Sequence, residues 1–202
     1  MPKIIDHHER RAEIVAVARR LILEGGFDAA TMRSIAAAAG FANGALKHYF
    51  PGKDSIIEAT FDAALAEMQQ KGALADPSAL AAMPPEQALR AWLMAPFPDE
   101  AEKIENGRVL LVLWERAAAN PELAARYRTF FDDWRKTTRD YLRPVLRLPD
   151  ASLDLWALEA MSLTVAANVV NLMHPDGRFI DVYHALVARF VDRCVAVSPP
   201  QP

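Results

Sequence analysis

The sequence predicts an all-α protein of about nine helices. Apolar residues recur at three- and four-residue intervals along most of the chain, alanine and leucine are abundant, and no segment alternates as a half-buried strand does. Of the 202 residues, 52% are hydrophobic and 24% are charged, which is typical of a globular protein and too apolar for a disordered chain. Charged or amide residues interrupt the longest apolar stretches within about ten positions, so we expect no membrane span.

The N-terminal part predicts three short helices. The first covers residues 10–24 and ends at Gly25-Gly26, and Thr31 is the predicted cap of the second. A third, over residues 43–49, is broken by Pro51. We place this head at residues 1–52.

The remaining residues, 53–202, predict a larger helical body. A helix opening at Asp54 or Ser55 links it to the head, and residues 72–85 are rich in Ala, Pro and Asp, as a loop is. Further helices are bounded by proline or glycine, with Asn120 as the cap of one of them. Their predicted ranges are 85–95, 108–119, 121–143, 150–173 and 179–195.

Residues 31–50 have the pattern of a helix-turn-helix. Ile35 packs the first of its helices inward, and Gly40 permits a sharp turn. Leu46 and Phe50, four residues apart, anchor the short helix that follows. The opposite face of that helix is polar and has small residues, which suits insertion into the major groove of DNA.

The charge distribution agrees with this interpretation. The chain has a net charge of −3, yet residues 1–55 contain eight basic and six acidic residues, a net of +2. The rest of the chain has a net charge of −5. A basic head on an acidic body is typical of a polyanion-binding module on a carrier.

Residues 10–57 resemble the N-terminal domain of the TetR-type one-component repressors. The resemblance rests on a helix ending in Gly-Gly-Phe, on Thr-x-Arg-x-Ile-Ala-x-x-Ala-Gly, on Asn-Gly-x-x-x-His-Tyr-Phe and on Lys53-Asp54. The third motif and Trp114-Glu-Arg, Asn-Pro-Glu-Leu and Trp134-Arg are similar to the choline-responsive branch. The family commonly has tyrosine where Lys47 stands, so this side chain would bring charge instead of stacking.

The resemblance implies a set of DNA contacts. Thr31 and Arg33, at the start of the second helix, would contact backbone phosphates or a base, and Lys53 would hold a flanking phosphate. The short helix would read base edges and contact phosphates. The implied DNA-binding residues are Thr31, Arg33, Asn43, Ala45, Lys47, His48, Tyr49 and Lys53.

One such head offers too few contacts for tight specific binding, so we expect a homodimer on a two-fold symmetric DNA operator. The last two helices are apolar over more than one face and must be buried on two sides. A larger core within one chain is the alternative. The predicted interface residues are Leu158, Val165, Val169, Leu186 and Phe190.

All four tryptophans lie in the body, which predicts an aromatic pocket for a small-molecule effector. Glu115 and Asn171 are further candidate polar groups. A cationic effector, such as a quaternary ammonium, would suit tryptophan and tyrosine faces. The predicted ligand-binding residues are Trp92, Trp114, Tyr127, Phe131, Trp134 and Asn168.

The sequence has no motif of an enzyme, a metal site or a cofactor site. No phosphate-binding loop, dinucleotide fingerprint, zinc motif or nucleophile elbow is present. The single cysteine, Cys194, excludes an internal disulfide, and the N-terminus lacks the apolar stretch of a signal peptide, so we expect a cytoplasmic protein. The sequence predicts a ligand-released, DNA-binding repressor. The alternatives are a helical ligand-binding protein or enzyme with a non-functional head, and a protein-interaction module.

Overall fold

The computed structural model describes residues 7–42, 44–72, 80 and 82–198. Within those residues the protein has eight α-helices, one short 3₁₀-helix and no strand, which confirms the predicted fold class. The α-helices are α1 (His7–Ala29), α2 (Met32–Ala38), α3 (Lys53–Gly72), α4 (Pro85–Met94), α5 (Ala101–Ala117), α6 (Pro121–Leu146), α7 (Asp150–Met173) and α8 (Ile180–Val197).

The end of α1 and the start of α2 follow from local chemistry. Gly26 has φ 72° and ψ −177°, a conformation that glycine tolerates, and it kinks α1 where the sequence predicted an end. At the start of α2, the Thr31 hydroxyl oxygen accepts a bond of 3.0 Å from the Ser34 amide, and the Ser34 hydroxyl oxygen accepts one of 2.9 Å from the Thr31 amide. This capping box confirms Thr31 as the predicted cap.

The third predicted helix is shorter than expected. It is a 3₁₀-helix over Ala45–His48, after a sharp turn in which Gly40 has φ 71°. Pro51 disfavours the helical conformation at Phe50, so the segment cannot extend. Leu46 and Phe50 are completely buried, as predicted, and hold the segment against α1 and α2.

Two predicted boundaries in the body were wrong. The helix α5 begins at Ala101 instead of residue 108, and α6 continues through Pro144 to Leu146. A proline close to a helix C-terminus removes only one bond of the final turn, and Arg147, with φ 52°, then ends the helix. Asn120 caps α6 as predicted, because its side-chain oxygen accepts a bond of 3.0 Å from the Leu123 amide.

Two hydrophobic clusters form the core. The first joins the head to the body, because Ile14, Leu46 and Phe50 share it with Val109 and Tyr127. The second lies among α4, α6, α7 and α8. The first cluster therefore crosses the predicted domain boundary at residues 52/53, and α3 contributes its buried residues to that cluster.

One helix in the described part of the chain, α7, is long and apolar enough to cross a membrane. One side of it, with Leu153 and Ala157, is fully enclosed by the protein. Its other side carries exposed apolar residues. A helix that is apolar on two sides is typical of the packed interior of a protein or of an assembly.

Candidate nucleic-acid interface and ligand cavity

The outer face of the 3₁₀-helix presents the predicted DNA-binding side chains. Lys47 and His48 are exposed, and Ala45 is half-buried. Because Leu46 and Phe50 are buried directly behind them, the segment has one anchored face and one free polar face. Asn43 lies outside the described residues.

The start of α2 adds two exposed side chains. Thr31 and Arg33 both reach solvent, although the Thr31 hydroxyl also serves the capping box. Tyr49 is half-buried: its ring lies 4.8 Å from that of His7 and 5.5 Å from that of Phe41, measured between centroids. Its backbone carbonyl accepts a hydrogen bond from Arg11. Tyr49 therefore packs within the head and is only partly accessible.

Lys53 lies where the head meets the body. Its ammonium group donates to the Phe27 carbonyl at 2.9 Å and lies 3.7 Å from the centroid of the Phe27 ring. Arg116 of α5 contacts the same ring, 4.9 Å from its centroid. Burial lowers the pKa of Lys53, and the charge of Arg116 lowers it further, while Asp28 opposes both effects. The ammonium group that was predicted to hold a phosphate is thus engaged in contacts within the protein.

A cleft lies among α3, α5, α6 and α7, and its empty space is about 750 Å³ when its mouth to solvent is included. Five of the six predicted ligand-binding residues line it, together with Phe130, which the sequence analysis missed. Those five are Trp114, Tyr127, Phe131, Trp134 and Asn168.

Aromatic side chains form one wall of the cleft. The ring of Phe131 lies 6.0 Å from that of Trp114 and 6.1 Å from that of Trp134, and Trp114 is 43% exposed. Burial raises the pKa of Tyr127, so its hydroxyl stays protonated and donates to the Leu110 carbonyl. Most of the wall is apolar and would hold an organic molecule.

The sixth predicted residue, Trp92, lies outside this cleft. It is 8% exposed in the second hydrophobic cluster and stacks on Tyr141 at 4.3 Å, with the two ring planes 5° apart. Trp92 lines a smaller cleft next to the first one, and Trp134 lines both clefts. Aromatic residues on adjacent helices face different neighbours, which helical spacing does not specify.

Two asparagines supply polar groups to the cleft. The Asn168 amide nitrogen donates to the Thr164 carbonyl at 3.0 Å, and its side chain lies so close to Gly107 that a Cβ there would be 1.8 Å from its oxygen. Asn106, which is 5% exposed, also lines the cleft. Asn106 was not predicted, because the helix was expected to begin two residues later. The Asn-Gly pair directly before an apolar helix was the available signal.

The other proposed polar groups have different positions. Asn171 is buried and structural: it donates to the Pro98 carbonyl at 3.1 Å and accepts a bond of 2.9 Å from the Tyr183 hydroxyl. Glu115 is exposed and is not among the cleft residues. Glu67 and Lys103 do line it; Glu67 pairs with Arg19 and Lys103 with Asp99.

The predicted interface residues divide into exposed and buried ones. Leu158 and Val169 are 55% and 46% exposed, whereas Val165 and Leu186 are half-buried. Phe190, at 1% exposed, is a core residue that contacts Trp156 edge-to-face, so it cannot also reach a partner. The periodic apolar pattern of α8 included residues that face inward.

An apolar stripe runs along α7. It comprises residues at alternating spacings of three and four, as in a helix seam. We call Leu155, Leu158, Ser162, Val165, Val169 and Leu172 the α7 stripe; Ser162 is polar, and Val165 also lines the cleft. Within the described residues, no group of three histidine, cysteine, aspartate or glutamate side chains is placed to hold a metal ion.

Two family models match the chain. Residues 14–60 match the bacterial regulatory proteins of the tetR family. Residues 85–196, more than half of the chain, match the C-terminal domain of BetI-type transcriptional repressors. These families are transcriptional regulators and not enzymes.

Curated relatives carry the same kind of name. The chain is 37% identical over 101 residues to the HTH-type transcriptional regulator PksA of Bacillus subtilis, a match that covers 50% of this chain and 48% of the relative. It is 32% identical over 123 residues to the HTH-type transcriptional regulator BetI of Burkholderia thailandensis, covering 61% and 62%. The matches thus span about half to three fifths of these relatives.

Solved structures share the fold along nearly the whole chain. A transcriptional regulator from Rhodococcus sp. Rha1 has a TM-score of 0.81 at 17% identity, covering 95% of this chain and 99% of that one. A regulator from Saccharomonospora viridis, solved in complex with choline, has a TM-score of 0.73 at 20% identity, covering 92% and 96%.

Proposed function

Because this chain belongs to the tetR family of bacterial regulatory proteins and carries a BetI-type repressor domain, we propose that it is a dimeric, ligand-responsive repressor of transcription. The observation that carries the proposal is the 3₁₀-helix, which exposes Lys47 and His48 while Leu46 and Phe50 are fully buried behind them. That arrangement lets a short polar face enter the major groove on a rigid support. A DNA-bound regulator of this kind acts in the cytoplasm.

The proposed operator contacts come from the head. Lys47 and His48 reach base edges or phosphates, and Thr31 and Arg33 contact the backbone next to them. Tyr49 contributes through its exposed portion. Lys53 contributes most by holding the head on the body, because its ammonium group is already engaged with Phe27.

The dimer forms through the α7 stripe and the outer face of α8. Leu155 and Leu158 are 71% and 55% exposed in the single chain. Covering such large apolar side chains with a partner stabilises the assembly, because apolar surface is removed from water. A second copy related by a two-fold axis places two heads on one side of the assembly. Half-sites about 34–36 Å apart, one helical turn, would then be read together.

The effector binds in the cleft between α3, α5, α6 and α7. The wall formed by Trp114, Phe131 and Trp134 suits an apolar molecule or an organic cation held by ring faces. The Glu67 carboxylate also lines the cleft, where Arg19 balances its charge, so the ring faces would supply the main attraction for a cation. The choline bound to the regulator from Saccharomonospora viridis supports a cationic effector here.

Effector binding would act by shifting the equilibrium between two spacings of the heads. Without effector, the dimer favours a spacing of the heads that fits consecutive major grooves. An effector that binds better to another spacing lowers operator affinity by the ratio of its two affinities, and by no more. The helix α3 connects the two events, since it begins at the head and lines the cleft.

Footprinting and gel-shift assays test the proposal. Purified protein, with DNA from upstream of its own gene and excess nonspecific competitor, should protect a two-fold symmetric site at about 100 mM salt. Choline should be tested as the first effector probe. Absence of a protected site at low salt would contradict the repressor proposal and favour a ligand-binding protein with a non-functional head.

A further inference from the structure

In the side-chain amide of Asn106, the nitrogen has a hydrogen-bond partner, whereas the oxygen has none among the described residues. Its nitrogen donates to the Ala64 carbonyl of α3 at 2.9 Å, which fixes the orientation of the amide because only the nitrogen can donate. The side-chain oxygen, Oδ1, is buried and has no hydrogen-bond partner among the described residues. A buried acceptor without a partner raises the free energy of the folded state, because it loses hydrogen bonds to water and forms none in the protein.

Three other residues that line the cleft direct a donor to an acceptor other than this oxygen. Lys103, three residues earlier on α5, directs its ammonium group to Asp99 at 2.7 Å. Asn168 donates to the Thr164 carbonyl and Tyr127 to the Leu110 carbonyl. All three residues line the same cleft as Asn106, and none of these donors pairs with the Asn106 oxygen.

We infer that the effector donates an N–H or O–H hydrogen bond to Asn106 Oδ1. The inference rests on the proposed effector cleft and narrows the class of its occupant. The effector has an apolar or cationic part against the aromatic wall and a hydroxyl, protonated amine or amide donor that reaches α5. A quaternary ammonium without a second polar group, an ether or a hydrocarbon would leave the acceptor unpaired.

Matched probes separate the donor from the rest of the molecule. Choline and its O-methyl ether differ by one O–H donor on a cationic frame, and 2-naphthol and 2-methoxynaphthalene differ likewise on a neutral aromatic frame. Dissociation constants would be measured by titration calorimetry for the full chain and for two variants. Asn106→Leu removes the acceptor, whereas Asn106→Asp retains an acceptor oxygen and loses only the donor to the Ala64 carbonyl.

The hydroxyl member of a pair that binds should bind at least about tenfold more tightly than the ether to the unaltered protein, as expected for pairing a buried polar group. The preference should vanish in Asn106→Leu and persist in Asn106→Asp. Retained binding of the ether would show that the Asn106→Leu cleft is intact.

Three results would overturn the inference. Equal affinity for both members of a pair, or a preference that survives in Asn106→Leu, would remove the donor requirement while leaving the effector cleft in place. Binding of none of the four probes would overturn the cleft itself, and the inference with it. A gel shift on the same protein reports DNA binding independently of all three.

Discussion

Glu67 and Arg19 form an ion pair that joins the proposed effector cleft to the N-terminal head. The Glu67 carboxylate lines the cleft from α3, and Arg19 belongs to α1, whose buried face packs against the helix-turn-helix. Both side chains are about one quarter exposed or less, so water screens the pair only in part. An effector that alters the position of Glu67 therefore acts directly on a residue of the head.

We expect the coupling of this pair to be measurable. A double-mutant cycle with Arg19→Leu and Glu67→Leu, followed by urea unfolding, should give an interaction energy of about 0.5–1 kcal/mol. The exposed pair Lys136–Asp140, within one helix, is the matched control and should give a smaller value, because both side chains are more than 40% exposed. Equal values for the two pairs would contradict a special role for the Arg19–Glu67 contact.

Lys47→Ala should weaken operator binding and its dependence on salt. If each Lys47 neutralises one phosphate, the slope of log K against log salt should become less steep by about 0.9 per head. Fluorescence anisotropy between 50 and 200 mM salt, roughly the range over which such contacts are lost, measures it. Lys136→Ala removes an exposed cation of the body, which pairs with Asp140, and should leave affinity and slope unchanged. If Lys47→Ala behaves as that control does, Lys47 is not a DNA contact.

Leu158→Glu should convert the proposed dimer to a monomer. The side chain is 55% exposed in the middle of the α7 stripe, and a carboxylate buried at a two-fold interface would lack a partner. Sedimentation velocity measures the change. Met83→Glu, at an exposed apolar position before α4, is the control and should leave the association state unaltered. A Leu158→Glu protein that remains dimeric would exclude the stripe as the interface.

Gly107 and Asn168 should show strong coupling in stability. Alanine at 107 would place its Cβ 1.8 Å from the Asn168 oxygen, so the Asn168 side chain must move. In an Asn168→Ala background that obstacle is absent, and Gly107→Ala should stabilise the protein by up to about 1 kcal/mol through helix propensity. With Asn168 present, thermal unfolding should show that gain cancelled or reversed. The same gain in both backgrounds would contradict the close contact.

Cys194 should be unreactive in the folded protein. It is fully buried, and burial raises the pKa of its thiol to about 12, so almost no thiolate forms near pH 8. Ellman's reagent should report no reaction until guanidinium unfolds the chain. Cys194→Ala combined with Val195→Cys moves the thiol to a position that is 48% exposed and should react quickly. Rapid reaction of the unaltered protein would show that the second cluster opens.

The raised pKa of the Cys194 thiol also predicts how its contribution to stability depends on pH. The thiol pKa is higher in the folded state than its ordinary value of 9.0, so the unfolded chain loses its proton first. The contribution of Cys194 to stability is therefore full below about pH 9 and declines as the pH rises toward 12. The difference in the free energy of unfolding between the unaltered protein and Cys194→Ala isolates this contribution.

Local sequence patterns predicted the helices well where short-range chemistry decides them. The Thr31 and Asn120 caps, the turn at Gly40 and the burial of Leu46 and Phe50 depend on residues within a few positions of each other. Patterns were weaker where a helix boundary depends on packing. Pro144 stays in α6, whose neighbouring Leu142 and Leu146 are fully buried in the second cluster.

The residues of the candidate cleft were also predicted only in part. Trp114, Tyr127, Phe131 and Trp134 were found because all are aromatic residues of the body, and they line one cleft. Trp92 and Phe190 belong to the same residue class but point into the core. Asn106 was missed, since its significance comes from contacts with Ala64, on a helix 42 residues away in sequence.

Local patterns in the chain specify the all-α class, the helix-turn-helix and its anchored short segment, because caps, glycine turns and apolar periodicity act between near neighbours. The packing of the helices sets which aromatic residues face a cleft, which apolar residues of α7 remain exposed, and the contact between Glu67 and Arg19. Those relationships depend on how helices that are distant in sequence rotate and pack against one another, and side-chain direction is settled only when the neighbouring helix is in place.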